Sequence, residues 1–155
     1  MNDILTKILE NSFTFHDLVY KVRTLRNYLI SELFGGENQP DLSNPDIEYI
    51  KSLGKEFIKQ FNKDNLYQLF DQIEAEIRKL TPLVIYLPFE IPTPEIIKLG
   101  TKLRTYFGQK FLFEIRFDPS LIAGCALVWK GKYKDYSLRS IIAQKREEIL
   151  TGFKR

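Results

Sequence analysis

The hydrophobic pattern changes period once, near Thr81-Pro82. Before that point apolar residues recur at steps of three and four. After it they come as short runs and strict alternation. A period of 3.6 specifies helices and a period of two specifies strands, so the chain reads as helices first and a mixed α+β unit second. Its 155 residues suit one ordinary domain or two small ones. We expect a helical N-terminal domain over 1–81 and a small α+β domain over 82–155.

In the front half, residues 3–10 form a short helix with Ile4, Leu5, Ile8 and Leu9 on one side. Thr14 and Asp17 have capping-box spacing, with Asp in place of the usual Glu. Leu18, Val22, Leu25, Leu29 and Leu33 then trace one helical face, ended by Gly35-Gly36. Residues 37–44, with Pro40, read as a loop. A second long helix takes Asn44 as cap and Pro45 at its first position, with Ile47, Ile50, Leu53, Phe57 and Phe61 inward. Asp64 or Asn65 caps a third, carrying Leu66, Leu69, Phe70, Ile73, Ile77 and Leu80. Thr81-Pro82 stops it, because the residue before Pro avoids the helical region.

In the back half, Leu83 to Leu87 is a continuous apolar run of strand formers. Thr93-Pro94-Glu95 reads as a cap, a first-turn Pro and a first-turn acid, and that helix buries Ile96, Leu99, Leu103 and Phe107 before Gly108. Phe111, Phe113, Ile115 and Phe117 alternate with Lys110, Leu112, Glu114 and Arg116, as in a half-buried strand. Cys125 to Trp129 is a further apolar run, with Lys130-Gly131-Lys132 as a hairpin tip. Ser137 caps a last helix carrying Leu138, Ile141, Ile142, Ile149 and Phe153. The order is strand, helix, strand, strand, helix.

Composition narrows the chemistry. One Cys excludes an internal disulfide framework and every multi-cysteine zinc site. No apolar run reaches the roughly 20 residues that span a bilayer, and Met1-Asn2-Asp3 does not open a signal peptide. These features lead us to expect a soluble, intracellular protein with at most a peripheral membrane role. No Gly-rich loop ends in Lys-Ser or Lys-Thr, so a nucleotide phosphate cradle is not expected. His16 reads as solvated or structural, Cys125 as a small hydrophobe, and the carboxylates show no metal spacing. We therefore expect no catalytic residue, cofactor or metal site. Charge is uneven: residues 1–80 hold 10 basic and 13 acidic side chains, residues 126–155 hold 8 and 3. A basic tail suits a solvated helix face, an acidic protein partner, nucleic acid or an anionic surface. Lys110-Phe111-Leu112-Phe113 and Trp129-Lys130-Gly131-Lys132-Tyr133-Lys134 interleave rings with cations, as single-strand binders do. They also fit core spacing and a lysine-rich hairpin tip.

One stretch is more specific: Asp118-Pro119-Ser120-Leu121-Ile122-Ala123-Gly124, then Asp135-Tyr136-Ser137-Leu138-Arg139. Pro119 fixes its own φ and makes a corner after Asp118. Gly124 permits close backbone approach. Ser137 as a cap contributes about 1 kcal/mol over Ala. Asp118, Pro119, Ser120, Leu121, Ile122, Gly124, Asp135 and Ser137 resemble the C-terminal signature of the delta subunit of F-type ATP synthases, the oligomycin-sensitivity-conferring protein of mitochondria. The similarity covers about residues 83–153. Ala123 stands where the family has Gly, Tyr136 replaces the Gly before Ser, and Gly131 sits one place late. The front half matches in helical character rather than in motif, and is shorter than the family's six-helix bundle.

The resemblance implies a non-catalytic stator subunit of a proton-driven ATP synthase. It would link the catalytic head to the peripheral stalk, binding the b subunit through the back half and the alpha subunit through the front. It implies no nucleic acid partner, contact with the membrane only through the complex, and a cytoplasmic position on the inner face of the energy-conserving membrane. Lys132, Lys134, Arg139, Lys145 and Arg146 are candidate partner-binding charges. The E-like stator proteins of vacuolar or archaeal-type ATPases have a related C-terminal layout, but there it normally follows a long charged helix. A small nucleic-acid-binding protein with a basic tail is the other alternative, and a small enzyme would need His16, Cys125 or paired carboxylates to converge.

Overall fold

The computed structural model of the chain describes residues 3–35, 42–146 and 150–151. Five helices come first: α1 (Asp3–Glu10), α2 (Phe15–Phe34), α3 (Asn44–Leu53), α4 (Lys55–Ile58) and α5 (Leu66–Ile77). Then follow β1 (Leu83–Leu87), α6 (Thr93–Phe107), β2 (Phe113–Phe117), a 3-10 turn over Pro119–Leu121, β3 (Ala126–Trp129), β4 (Lys132–Asp135) and α7 (Leu138–Gln144). The architecture is α+β, in the expected order, and the hairpin tip adds β4 as a fourth strand. That strand is polar and exposed, so hydrophobicity does not reveal it.

The front helices meet along their apolar stripes. Leu5, Ile8, Leu9, Leu18, Leu25, Leu29, Leu66, Phe70 and Ile73 are fully buried in one cluster. Local chemistry sets the boundaries. Thr14 Oγ1 accepts the Asp17 N–H at 3.1 Å, while the Asp17 carboxylate turns to Lys21 at 2.9 Å instead of closing the box. Gly35 ends α2 in the left-handed region at φ 66°. The rest of that predicted stop, Gly36, lies outside the described residues, as do 37–41, Ile149 and Phe153.

Two boundaries of the front half differ from expectation, and a third keeps its place but not its bond. Ser43, not Asn44, is the cap of α3: the Asp46 carboxylate accepts from the Ser43 hydroxyl at 2.6 Å and its N–H at 3.2 Å. The second helix is not continuous to Phe61. Gly54, at φ 84°, breaks it, yet Phe57 and Phe61 still reach the core. Asn65 is the cap position of α5, as expected, but its side chain makes no capping bond. Asn62 Oδ1 instead accepts the N–H groups of Asp64 (3.0 Å) and Asn65 (2.9 Å), a competition typical of Asn in turns.

The sheet order is β2-β1-β3-β4. β1 and β2 run parallel, joined by α6 as crossover, and β3 pairs antiparallel with β1 and β4. Lys130 and Gly131 both have positive φ, 49° and 75°, as a two-residue hairpin loop of the primed type requires. Leu83, Ile85, Leu87 and Phe113 form the second core, with Ile96, Leu99 and Leu103 of α6 packed on them. The helix start is displaced by one residue: Pro92 is the cap of α6, and no side chain bonds there. Phe107 does not enter the core and is 51% exposed. The deepest positions on α6 are Gly100 and Arg104.

The halves exchange side chains. Leu112, expected on a solvent face, is buried in the front cluster, while Phe13 of the front packs into the back one. A Cβ on Gly100 would lie 2.5 Å from the Phe13 ring, so only Gly lets the ring approach. The Arg104 guanidinium stacks on that ring at 4.5 Å. It donates to the carbonyls of Leu9 (2.7 Å), Glu10 (3.0 Å) and Ser12, at and just past the end of α1, where carbonyls lack helical partners.

Candidate partner-binding surface

The signature residues, distant in sequence, close into one hydrogen-bonded cluster. Asp118 Oδ1 accepts from the Ser120 N–H at 3.0 Å and its hydroxyl at 2.6 Å. Arg139 donates to Ser120 Oγ at 2.7 Å and to Asp135 Oδ2 at 3.3 Å. Asp135 Oδ1 accepts the Ser137 N–H at 2.8 Å, and Oδ2 the Tyr133 hydroxyl at 3.1 Å. Hydrogen bonds from Ser137 first, then Arg139 and Tyr133, hold the Asp135 carboxyl at about 2, below its ordinary 3.8. Ser137 Oγ caps α7 through the Ser140 N–H at 3.2 Å. The cluster ties the 3-10 turn, the end of β4 and the start of α7 together.

Backbone conformation explains the remaining signature positions. Leu121 is fully buried beneath the turn. Gly124 has φ 82°, and a Cβ there would lie 2.4 Å from the Tyr136 carbonyl oxygen. Both conditions demand glycine. Ala123 is in order where the family has Gly, and Tyr136 likewise: neither has positive φ. Ile122 does, at φ 69° and ψ −58°. Its neighbours close a tight turn, with the Ala123 N–H 2.8 Å from the Leu121 carbonyl. A β-branched residue there is strained, and such strain gathers at functional sites. The turn holds the Ile122 side chain 60% exposed.

Around it lies apolar surface. No α7 residue is buried; Leu138, Ile141 and Ile142 are 39–49% exposed, and Tyr133 and Tyr136 are also open. The five candidate cations do not share this surface equally. Lys145 and Arg146 are exposed at the end of α7. Arg139 is taken up by the signature cluster, which periodicity alone does not reveal. Ladder partners share a sheet face, so Lys132 goes with Trp129 and Lys134 with Leu127, toward α6 rather than α7. Thus the sequence grouped as one basic tail what the fold separates.

Residues considered for other chemistry are placed as follows. His16 is exposed in the first turn of α2, and Cys125 packs against the back core. Among the described residues no group of His, Cys, Asp or Glu is arranged to hold a metal ion, and no helix is long and apolar enough to cross a membrane. The front half has its own groove, of about 540 Å³, between α2 and α5. Phe15, Val19, Val22 and Ile77 form its apolar part, with Arg23, Arg26 and Arg78 beside them, the last two paired with Glu74.

The profile of one protein family, described as the ATP synthase delta (OSCP) subunit, matches residues 2–149. Similar proteins include the ATP synthase subunit delta of Persephonella marina, 25% identical over 159 residues, spanning 96% of this chain and 86% of that protein. The ATP synthase subunit delta of a Polaromonas species is 22% identical over 104 residues, spanning 63% of this chain and 59% of that one.

Proposed function

The chain belongs to the ATP synthase delta (OSCP) subunit family, a peripheral-stalk subunit of F-type ATP synthase, and from that premise we propose which surfaces carry the linkage. The α7 face receives the C-terminal helix of the stalk b subunit. The groove between α2 and α5 receives an N-terminal segment of the alpha subunit. The two halves, 1–81 and 82–155, act as separate grips. The chain performs no catalysis itself and lies on the membrane face that bears the catalytic head.

The observation that carries this reading is the pairing of a rigid cluster with open apolar side chains. Asp118, Ser120, Asp135, Ser137 and Arg139 brace one another, while Ile122, Leu138, Ile141 and Ile142 stay exposed beside them. A stator must hold its partner without yielding to torque, and pre-ordered apolar surface loses little entropy on binding. An amphipathic helix laid on α7 is the natural complement. Lys145 and Arg146 act as rim charges. Apolar burial dominates, because exposed ion pairs contribute only about 0–1 kcal/mol each.

The test is titration calorimetry of the full chain with a peptide covering the C-terminal end of the stalk b subunit from the same organism. Binding is expected, weakened by Ile141→Asp at unchanged melting temperature, and only moderately sensitive to salt. Absence of heat with the peptide overturns the assignment.

A further inference from the structure

We propose that the seam between the two halves is a third docking surface, shaped for an acidic segment of a protein partner. A depression of about 220 Å³ opens where the connector 79–82 meets the loop before β2 and the hairpin tip. Leu80, Pro82, Phe111 and Trp129 supply its apolar part, and Lys79, Lys110 and Lys130 surround it. No carboxylate lines it. Lys132 joins the same side as the ladder partner of Trp129.

Of these cations Lys79 alone is spent on the protein itself. Lys79 meets Glu76 at 2.7 Å. Among the described residues, the side chains of Lys110, Lys130 and Lys132 form no ion pair or hydrogen bond; Lys130 rests over the Trp129 ring at 4.9 Å. Charges of one sign collected around apolar side chains repel each other until an anion arrives, and they select a partner that is both acidic and partly apolar.

Ring geometry separates peptide from nucleic acid. Single-strand binders offer free aromatic faces for base stacking. Here Phe107 and Phe111 stack on each other at 4.6 Å. Trp129 stands edge-on to both, at 5.6 and 6.2 Å, with Lys130 over its face. The rings already satisfy one another and leave edges and methylenes for side-chain contact. An occupant would touch residues from both sides of Thr81, so its binding would also strengthen the docking of the halves.

Trp129 is the chain's single tryptophan, and its emission reports on this surface directly. The probe is a short synthetic peptide of glutamate and leucine, titrated into the full chain. A saturable change in Trp129 emission is expected. The double variant Lys110→Glu, Lys130→Glu should weaken it by about tenfold or more, since it puts like charges face to face. The milder Lys110→Gln, Lys130→Gln should give an intermediate loss, and Lys51→Glu, an exposed position on α3, should leave it unchanged. No emission change at high peptide, or equal affinity in the charge-reversed variant, overturns the proposal. Tighter binding of oligothymidylate, with steep salt dependence, overturns it in favour of nucleic acid.

Discussion

In the front half, Leu5, Leu9, Leu18, Leu25, Leu66 and Phe70 have no solvent exposure, whereas α7 at the other end of the chain buries none of its residues. Five helices close the front core with one side chain, Leu112, from the back half, whereas α6 and Phe13 pack across one face of the four-stranded sheet. The 3-10 turn and the start of α7 cover part of the other. The contrast separates two uses of apolar side chains. Where they are enclosed they fix the fold; where a polar cluster braces them in the open they are left for a partner. Arg104 joins the two regions, filling the end of α1 from the middle of α6.

The comparison can be broken most forcefully at Phe70. Phe70→Ala should cost about 3–5 kcal/mol, read by denaturant unfolding, and should exceed any single change on α7. Gly124→Val comes next. A branched side chain at positive φ, driven against the Tyr136 carbonyl, should cost about 3 kcal/mol. The melting temperature should fall before any partner affinity does; loss of binding at unchanged stability would make Gly124 a contact residue.

Arg104→Met tests the connection between the regions. It removes the donors from the Leu9, Glu10 and Ser12 carbonyls and should cost about 2 kcal/mol. If 1–81 and 82–155 are separate units, calorimetry should resolve the single melt into two transitions. A single transition at lower temperature would mean one shared core.

The smallest effects belong to the signature cluster. Ser137→Ala should cost about 1 kcal/mol through the lost cap. Asp135 adds a pH dependence with a definite sign. Its carboxyl titrates at about 2 in the fold against 3.8 ordinarily, so the unfolded chain binds the proton more readily. Its stabilisation is complete above 3.8 and disappears as pH falls through about 2. Asp135→Asn should abolish that part of the acid response. A carboxyl titration by NMR that places Asp135 at its ordinary value would show the cluster is not formed in solution.

Much of this was legible in residue spacing. The stripes Ile4-Leu5-Ile8-Leu9, Leu18 to Leu29 and Leu66 to Ile77 specify helices and their inward faces, because burial repeats with the helical turn. Leu83 to Leu87 and the Ser137 cap are equally local, and the run from Asp118 to Arg139 carries the family. Other positions depended on partners far along the chain. Arg104 reads as an ordinary charge on a helix until the carbonyls of Leu9 and Ser12 meet it from more than ninety residues away. Gly100 matters only because Phe13 crosses there. Leu112 lies between two cores, and alternation states that it is out of step with Phe113 without saying which core waits on its side. Arg139 and Lys132 look alike in a basic tail, yet one is consumed by Asp135 and the other faces the seam. Local pattern determines which segments become helix or strand. Only tertiary packing decides which charges are neutralised, because desolvation and hydrogen bonding depend on whatever the fold brings into contact.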